Sequence, residues 1–144
     1  MTRSLTGAMV CFALLLAGCR KDSSSTIPIQ PGTAANNMPV VANTQNAFSF
    51  DLTASSYTST LTYPLSFTTD SLACSLNVAS NTAGTGSLKV TDANNAMVYG
   101  DSVLSNQVIA STQAGKGMPK SIQLVFSNYT GVLTFALAKN TSAR

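Results

Sequence analysis

Histidine, tryptophan and glutamate are absent from this 144-residue sequence, and charged residues make up only 9% of it. Without imidazole there is no Ser-His-Asp or Cys-His nucleophile pair, and the commonest nitrogen ligand for zinc is missing. Acid–base work would fall to five Asp, or to Lys, Tyr and Cys. Those Asp are scattered, so no pair of carboxylates is set up to share a cleft, and the sequence reads as non-enzymatic. Eight Lys plus Arg against five Asp give a net charge of +3. The cations are spread along the chain rather than gathered in the stripe that neutralises phosphates, so no nucleic-acid partner is expected.

Hydroxyl side chains take the place of the missing charge. Ser occurs 19 times and Thr 18 times, which gives a nearly neutral, hydroxyl-rich surface. With 44% hydrophobic residues the chain can still fill a core, so low charge here does not signal disorder. The length suits one domain.

The longest apolar run is Leu5–Ala17, preceded by a single cation at Arg3. A membrane-spanning helix needs about 20 apolar residues, whereas the core of a secretory signal needs only about 7–15. The run therefore reads as a cleaved signal. It ends in Leu16-Ala17-Gly18-Cys19, followed at once by the polar Arg20-Lys21-Asp22-Ser23-Ser24-Ser25. The bland alternatives are an ordinary signal, or a chance Ala-Gly-Cys closing a core helix.

Leu16-Ala17-Gly18-Cys19 resembles the lipobox of bacterial lipoproteins: an aliphatic residue, two small ones, then the cysteine. That resemblance implies that residues 1–18 are removed, that the Cys19 thiol carries diacylglycerol and that its new α-amine is often acylated. It implies no other cofactor. Two or more acyl chains hold a protein stably on its membrane without spanning it. In enteric bacteria an Asp directly after the lipidated Cys retains the protein at the inner membrane. Arg20 stands there instead, so the expected location is the outer membrane of a Gram-negative cell, facing the periplasm or the exterior.

Cysteine usage is consistent with this. Cys11 leaves with the signal and Cys19 is taken by lipid, so the mature chain keeps Cys74 alone and forms no internal disulfide. Cys74 is in phase with Leu72, Leu76 and Val78 and reads as a core residue.

Residues 19–45 are rich in Ser, Thr, Asn, Gly and Pro (Pro28, Pro31, Pro39) and read as a flexible linker after the lipidated Cys. A coil of about 25 residues reaches roughly 25–30 Å. Met38–Ala42 is the one part that could dock as a first edge strand, since proline is tolerated at a strand's start.

From residue 46 to 144 the pattern has period two. Phe48, Phe50 and Leu52 alternate with Ser49, Asp51 and Thr53, and Leu61, Tyr63, Leu65 and Phe67 continue it around Pro64. Further runs are Leu72–Val78, Leu88–Val90, Ala96–Tyr99, Val103–Ala110, Ile122–Ser127 and Leu133–Leu137. Between them stand turn signals at Asn81–Gly86, Asp92–Asn95, Ala114–Pro119 and Asn128–Gly131. The expectation is an all-β antiparallel two-sheet β-sandwich of seven to nine short strands, jelly-roll or immunoglobulin-like. Gly86–Asn95 and Asn128–Phe135 are faintly similar to small secreted β-sandwich accessory domains, which implies the same fold and nothing about activity.

Few side chains offer chemistry. Tyr57, Tyr99 and Tyr129 fall in or beside turns or out of phase, where their rings could stack on a sugar or anchor a protein partner. Asp92, Asn94, Asn95 and Asp101 have oxygen ligands of the kind calcium takes. Their spacing is that of no calcium loop, and they read as turn formers, so no metal is expected. Gly84-Thr-Gly86 and Gly115-Lys-Gly117 lack phosphate-loop spacing. Lys120 and Ser121, as neighbours on a strand, point to opposite faces. The expected function is a membrane-anchored lipoprotein whose sandwich binds an envelope or surface protein or a glycan. The alternative is a structural or assembly subunit of an envelope complex, pairing through an edge strand such as the Pro64 run.

Overall fold

Six antiparallel strands hydrogen-bond into one sheet in the computed structural model, which describes residues 37–141. The expected signal, the lipobox and most of the linker lie outside the described residues. The strands are β1 (Val40–Thr44), β2 (Ala47–Pro64), β3 (Leu72–Thr91), β4 (Met97–Val103), β5 (Gln107–Gln113) and β6 (Ser121–Lys139). The order is β1-β2-β6-β3-β4, with β5 also paired to β3. β3 serves two neighbours on one side because its first half, Leu72–Val78, pairs β5 and its second half, Gly86–Thr91, pairs β4.

The three long strands β2, β3 and β6 each bend near the middle, and the bends coincide. Register slips between Ala54 and Ser59 on β2 against β6, and between Ala79 and Thr85 on β3 against β6. Left-handed backbone marks each bend: Ser56 at φ 51°, Ser80 at φ 53°, Gly84 at φ 75° and Asn128 at φ 49°. Extra residues at such bulges sharpen a strand's bend and re-aim the side chains beyond it. Two exposed residues in a row, Ser55-Ser56 on β2 and Ser127-Asn128 on β6, move the in–out alternation by one. The apolar positions thereby stay on the concave side, from Phe50 and Leu52 to Leu61 and Tyr63, and from Phe126 to Leu133 and Phe135. Hydroxyl and amide side chains satisfy backbone groups where the ladder breaks. Thr130 Oγ1 accepts from the Ser56 N–H at 2.9 Å, Thr58 Oγ1 from the Asn128 N–H at 2.9 Å, and Asn106 Oδ1 from the Asn81 N–H at 2.7 Å.

Bent in this way, the sheet closes on itself as a sandwich. One layer holds β1, β5 and the halves of β2, β6 and β3 that pair around Phe48–Leu137 and Leu76–Phe135. The other holds β4 and the remaining halves of the long strands. Rings from the two layers meet in the middle: Phe50 stacks on Phe126 at 6.1 Å between centroids, and Tyr99 on Phe135 at 6.0 Å. The buried core is apolar apart from the tyrosine hydroxyls and one thiol, and no charged side chain of the described residues is in it. The fold is the expected all-β antiparallel sandwich, but it is built from six strands rather than seven to nine short ones, because β2, β3 and β6 run 18–20 residues through both layers.

Three local expectations are corrected. Asn81–Gly86 and Asn128–Gly131 do not reverse the chain; they are the bends of β3 and β6. Residues that tolerate positive φ serve a bulge as well as a reversal. Asp92–Asn95 does reverse it, joining β3 to β4: Asp92 Oδ1 accepts from the backbone N–H of Asn94 at 2.8 Å and of Ala96 at 2.9 Å. The linker expected to run to residue 45 ends sooner, because β1 pairs with β2 from Val40↔Asp51 to Thr44↔Ala47. Asn46, at φ 63°, locks the β1–β2 turn, its Oδ1 accepting from the Thr68 N–H at 2.8 Å and its carbonyl from the Lys139 N–H at 2.9 Å.

Candidate functional site

The tyrosines expected at a binding face are mostly inside. Tyr129 is fully buried and Tyr99 is 6% exposed, so neither ring is presented to a ligand. For Tyr129 the reason is the β6 bulge, which turns the residue after Asn128 back to the core. There its ring lies 5.5 Å from that of Phe126, and its hydroxyl donates to the Val132 carbonyl at 3.3 Å. For Tyr99 the reason is the register slip between Val90 and Thr91, which puts Val98 and Tyr99 both inside. Tyr99 donates to Asp101 Oδ2 at 3.3 Å. Tyr57 is half-buried, tilted on Phe126 at 5.6 Å. The three do not form one surface.

Ionisation reflects this burial. Burial pushes the Cys74 thiol up to about 11, with the Ser111 side chain pulling weakly the other way. It pushes Tyr129 up to about 12. Tyr99 is raised further, by burial first and by the Asp101 carboxylate second. A thiol so held is neutral at ordinary pH and is no nucleophile. All three groups keep their protons in the fold longer than in the unfolded chain. Their contribution to stability is thus whole below about pH 8.5 and is lost as pH rises towards 11 and beyond. Urea titrations at pH 7, 9 and 10.5 are expected to show a midpoint falling with pH, and Cys74→Ala to lessen the fall. An alkaline midpoint equal to that at pH 7 would contradict the buried thiol and phenols.

The outer face of the β1–β5 layer is uncharged along its β3 side and carries shallow grooves. One shallow groove of about 500 Å³ runs over Ala73, Ser75, Ala110, Thr112, Ala136 and Ala138. A second, of about 470 Å³, continues it past Asn77, Ala79 and Val108. Small side chains make the trough: register places Ala73 beside Ala138, and Ser75 beside both Ala136 and Ala110. No group of three His, Cys, Asp or Glu among the described residues is placed to hold a metal ion.

β5 forms the rim of that trough and a free edge of its layer. Proteins usually guard such an edge with charge, proline or a bulge. The second half of β2 carries Pro64, and β4 carries Asp101 and a register slip. β5, Gln107–Gln113, has no charge, proline, glycine or break in its register with β3, and its Val108 is 79% exposed. Sequence alone could not single it out, because which strands end up as edges is decided by pairing with residues far along the chain.

No protein-family model and no curated protein matches the chain. Among solved structures the chain is similar to one described under "Bacillus endospore appendages form a novel family of disulfide-linked pili", at 12% identity and a TM-score of 0.43, covering 77% of this chain and 99% of that one.

Proposed function

We propose that this protein is a lipoprotein of the bacterial cell envelope, anchored through acyl chains on Cys19, whose β-sandwich acts by binding rather than by catalysis. The observation that carries the anchor is Leu16-Ala17-Gly18-Cys19 closing a 13-residue apolar run behind Arg3. Supporting the binding role is the chemistry of the domain. Its inward ionisable groups are neutral tyrosines and a thiol of raised pKa, and its grooves are lined by Ala, Ser, Thr and Asn. The ligand is a protein or a glycan of the envelope or the cell surface, and the outer membrane is the favoured site because Arg20 stands directly after Cys19.

Cys19→Ser tests the anchor. The parent should label with radioactive palmitate and enter the detergent phase on Triton X-114 partitioning; the variant should lose the label and move to the aqueous phase. A variant that stays labelled overturns lipidation at Cys19. A second reading, a structural or assembly subunit, is favoured by the unguarded edge of β5.

A further inference from the structure

We infer that β5 is a self-association edge, on which two copies of this chain pair antiparallel across a two-fold axis through Ala110 and join their β1–β5 layers into one sheet. The inference rests on the assembly reading and names its partner.

The first observation is the strand's own pattern. Gln107-Val108-Ile109-Ala110-Ser111-Thr112-Gln113 has the same residue at each end and a β-branched residue next to each, disposed evenly about Ala110. Antiparallel pairing sets Gln107 against Gln113 of the second copy, Val108 against Thr112, and Ile109 against Ser111. β-Branched residues thus face each other on the outer side, and amides face amides on the inner side. Val108 and Thr112 then pack as cross-strand neighbours, and each paired amide can both donate to and accept from the other.

A second, independent observation is a polar deficit on the same strand. Gln113 Oε1 is a buried oxygen without a hydrogen-bond partner. Leaving such an acceptor unpaired is unfavourable. Gln107 spends one N–H on the Ser102 carbonyl at 2.8 Å and keeps another. Turned towards the open edge, the Gln113 amide would meet the Gln107 amide of the second copy and gain the partner it lacks within one chain.

Charge also permits a second copy. Within residues 37–141 there are four Lys (89, 116, 120, 139) and four Asp (51, 70, 92, 101), so two domains do not repel at long range. A seven-residue edge is a small contact by the standards of stable dimers. The dimer is therefore reversible and concentration-dependent.

The test uses the full-length chain in membranes and in detergent solution. Residues directly opposite in an antiparallel pair have Cα atoms about 4.5–5.5 Å apart, within disulfide reach. Ala110→Cys should therefore give a covalent dimer under mild oxidant. The parent, whose Cys74 is buried, is the background. Val125→Cys, on the outer side of the other layer and 37% exposed, should stay at that background. Adding Val108→Lys to Ala110→Cys sets a cation on the exposed side of the edge in both copies. It should cut the cross-linked yield at least about tenfold, a difference of about 1.4 kcal/mol. Thr112→Lys is the second edge variant, and circular dichroism confirms that each variant is folded. The inference is overturned if Ala110→Cys cross-links no better than Val125→Cys, or if neither lysine lowers the yield. Because detergent-solubilised chains dimerise with or without a membrane, a failed cross-link is distinguishable from a failed lipid anchor, which palmitate labelling reads separately.

Discussion

Gly84→Ala is expected to cost at least about 4 kcal/mol, a large share of the roughly 5–15 kcal/mol that holds an ordinary domain folded. Gly84 lies in the bend of β3 at φ 75°, where any Cβ is already strained by about 1–2 kcal/mol. Here a Cβ would also run into the backbone of the facing bend in β6, closer to the Ser127 and Asn128 carbonyls than atoms approach. A carbonyl in a ladder cannot swing aside as a side-chain tip can, so both strands would have to separate. Gly115→Ala is the control, because Gly115 has nearly the same backbone, φ 76°, with nothing within 4 Å of the added methyl. It should lose only the conformational part. In urea, at a slope of about 1–3 kcal/mol per molar, the Gly84 variant should lose roughly 2 M in midpoint or fail to fold, and the Gly115 variant well under half of that. Equal losses at the two sites would mean that the bends can open without harm.

Phe50→Ala should have the next largest effect, a loss of about 3–5 kcal/mol. Phe50 is fully buried, stands beside Phe135 in its own layer, and crosses the core to Phe126 at an interplanar angle of 14°. Removing the ring vacates the centre of the sandwich at a point where both layers are fixed by continuous strands, so the hole cannot collapse freely. A double-mutant cycle with Phe126→Leu reads the cross-layer contact alone. An interaction of about 0.5–1.5 kcal/mol is expected from the stacked pair. Strict additivity would mean that the two layers do not meet there.

Much of this fold is written in the order of the residues, and the part that is not has a definite physical reason. Period-two alternation from Phe48 to Leu137 identifies an antiparallel sandwich before any coordinates, because half-buried strands need it. The reversals are a different matter. Asn95 at φ 60° closes a hairpin and Asn128 at φ 49° merely bends a strand, so the same local conformation serves two topologies. Pairing with residues far away in sequence decides between them: β6 stays bonded to β2 and β3 on both sides of Asn128. The buried tyrosines have the same origin. Tyr129 reads as a loop residue because Asn128–Gly131 has the composition of a turn, and Tyr99 reads as outward-facing because strict alternation from Val98 takes no account of the slip at Thr91. Cys74, with no bulge between it and Leu72 or Val78, is core in the sequence and in the structure alike. The proposed lipobox, Leu16-Ala17-Gly18-Cys19, is by contrast a contiguous pattern, and reading it calls on no tertiary structure.

β6, the last of the described strands, is the middle strand of both layers. β6 lies between β2 and β3 along its whole length, so until it arrives those two strands have no common neighbour and neither layer has a centre. A chain emerging N-terminus first, from a ribosome or through a translocation channel, therefore carries more than a hundred residues before its fold can close. Closure then comes in a single late step, as expected where most pairings join distant segments. Such a chain stays threadable until its final strand is delivered.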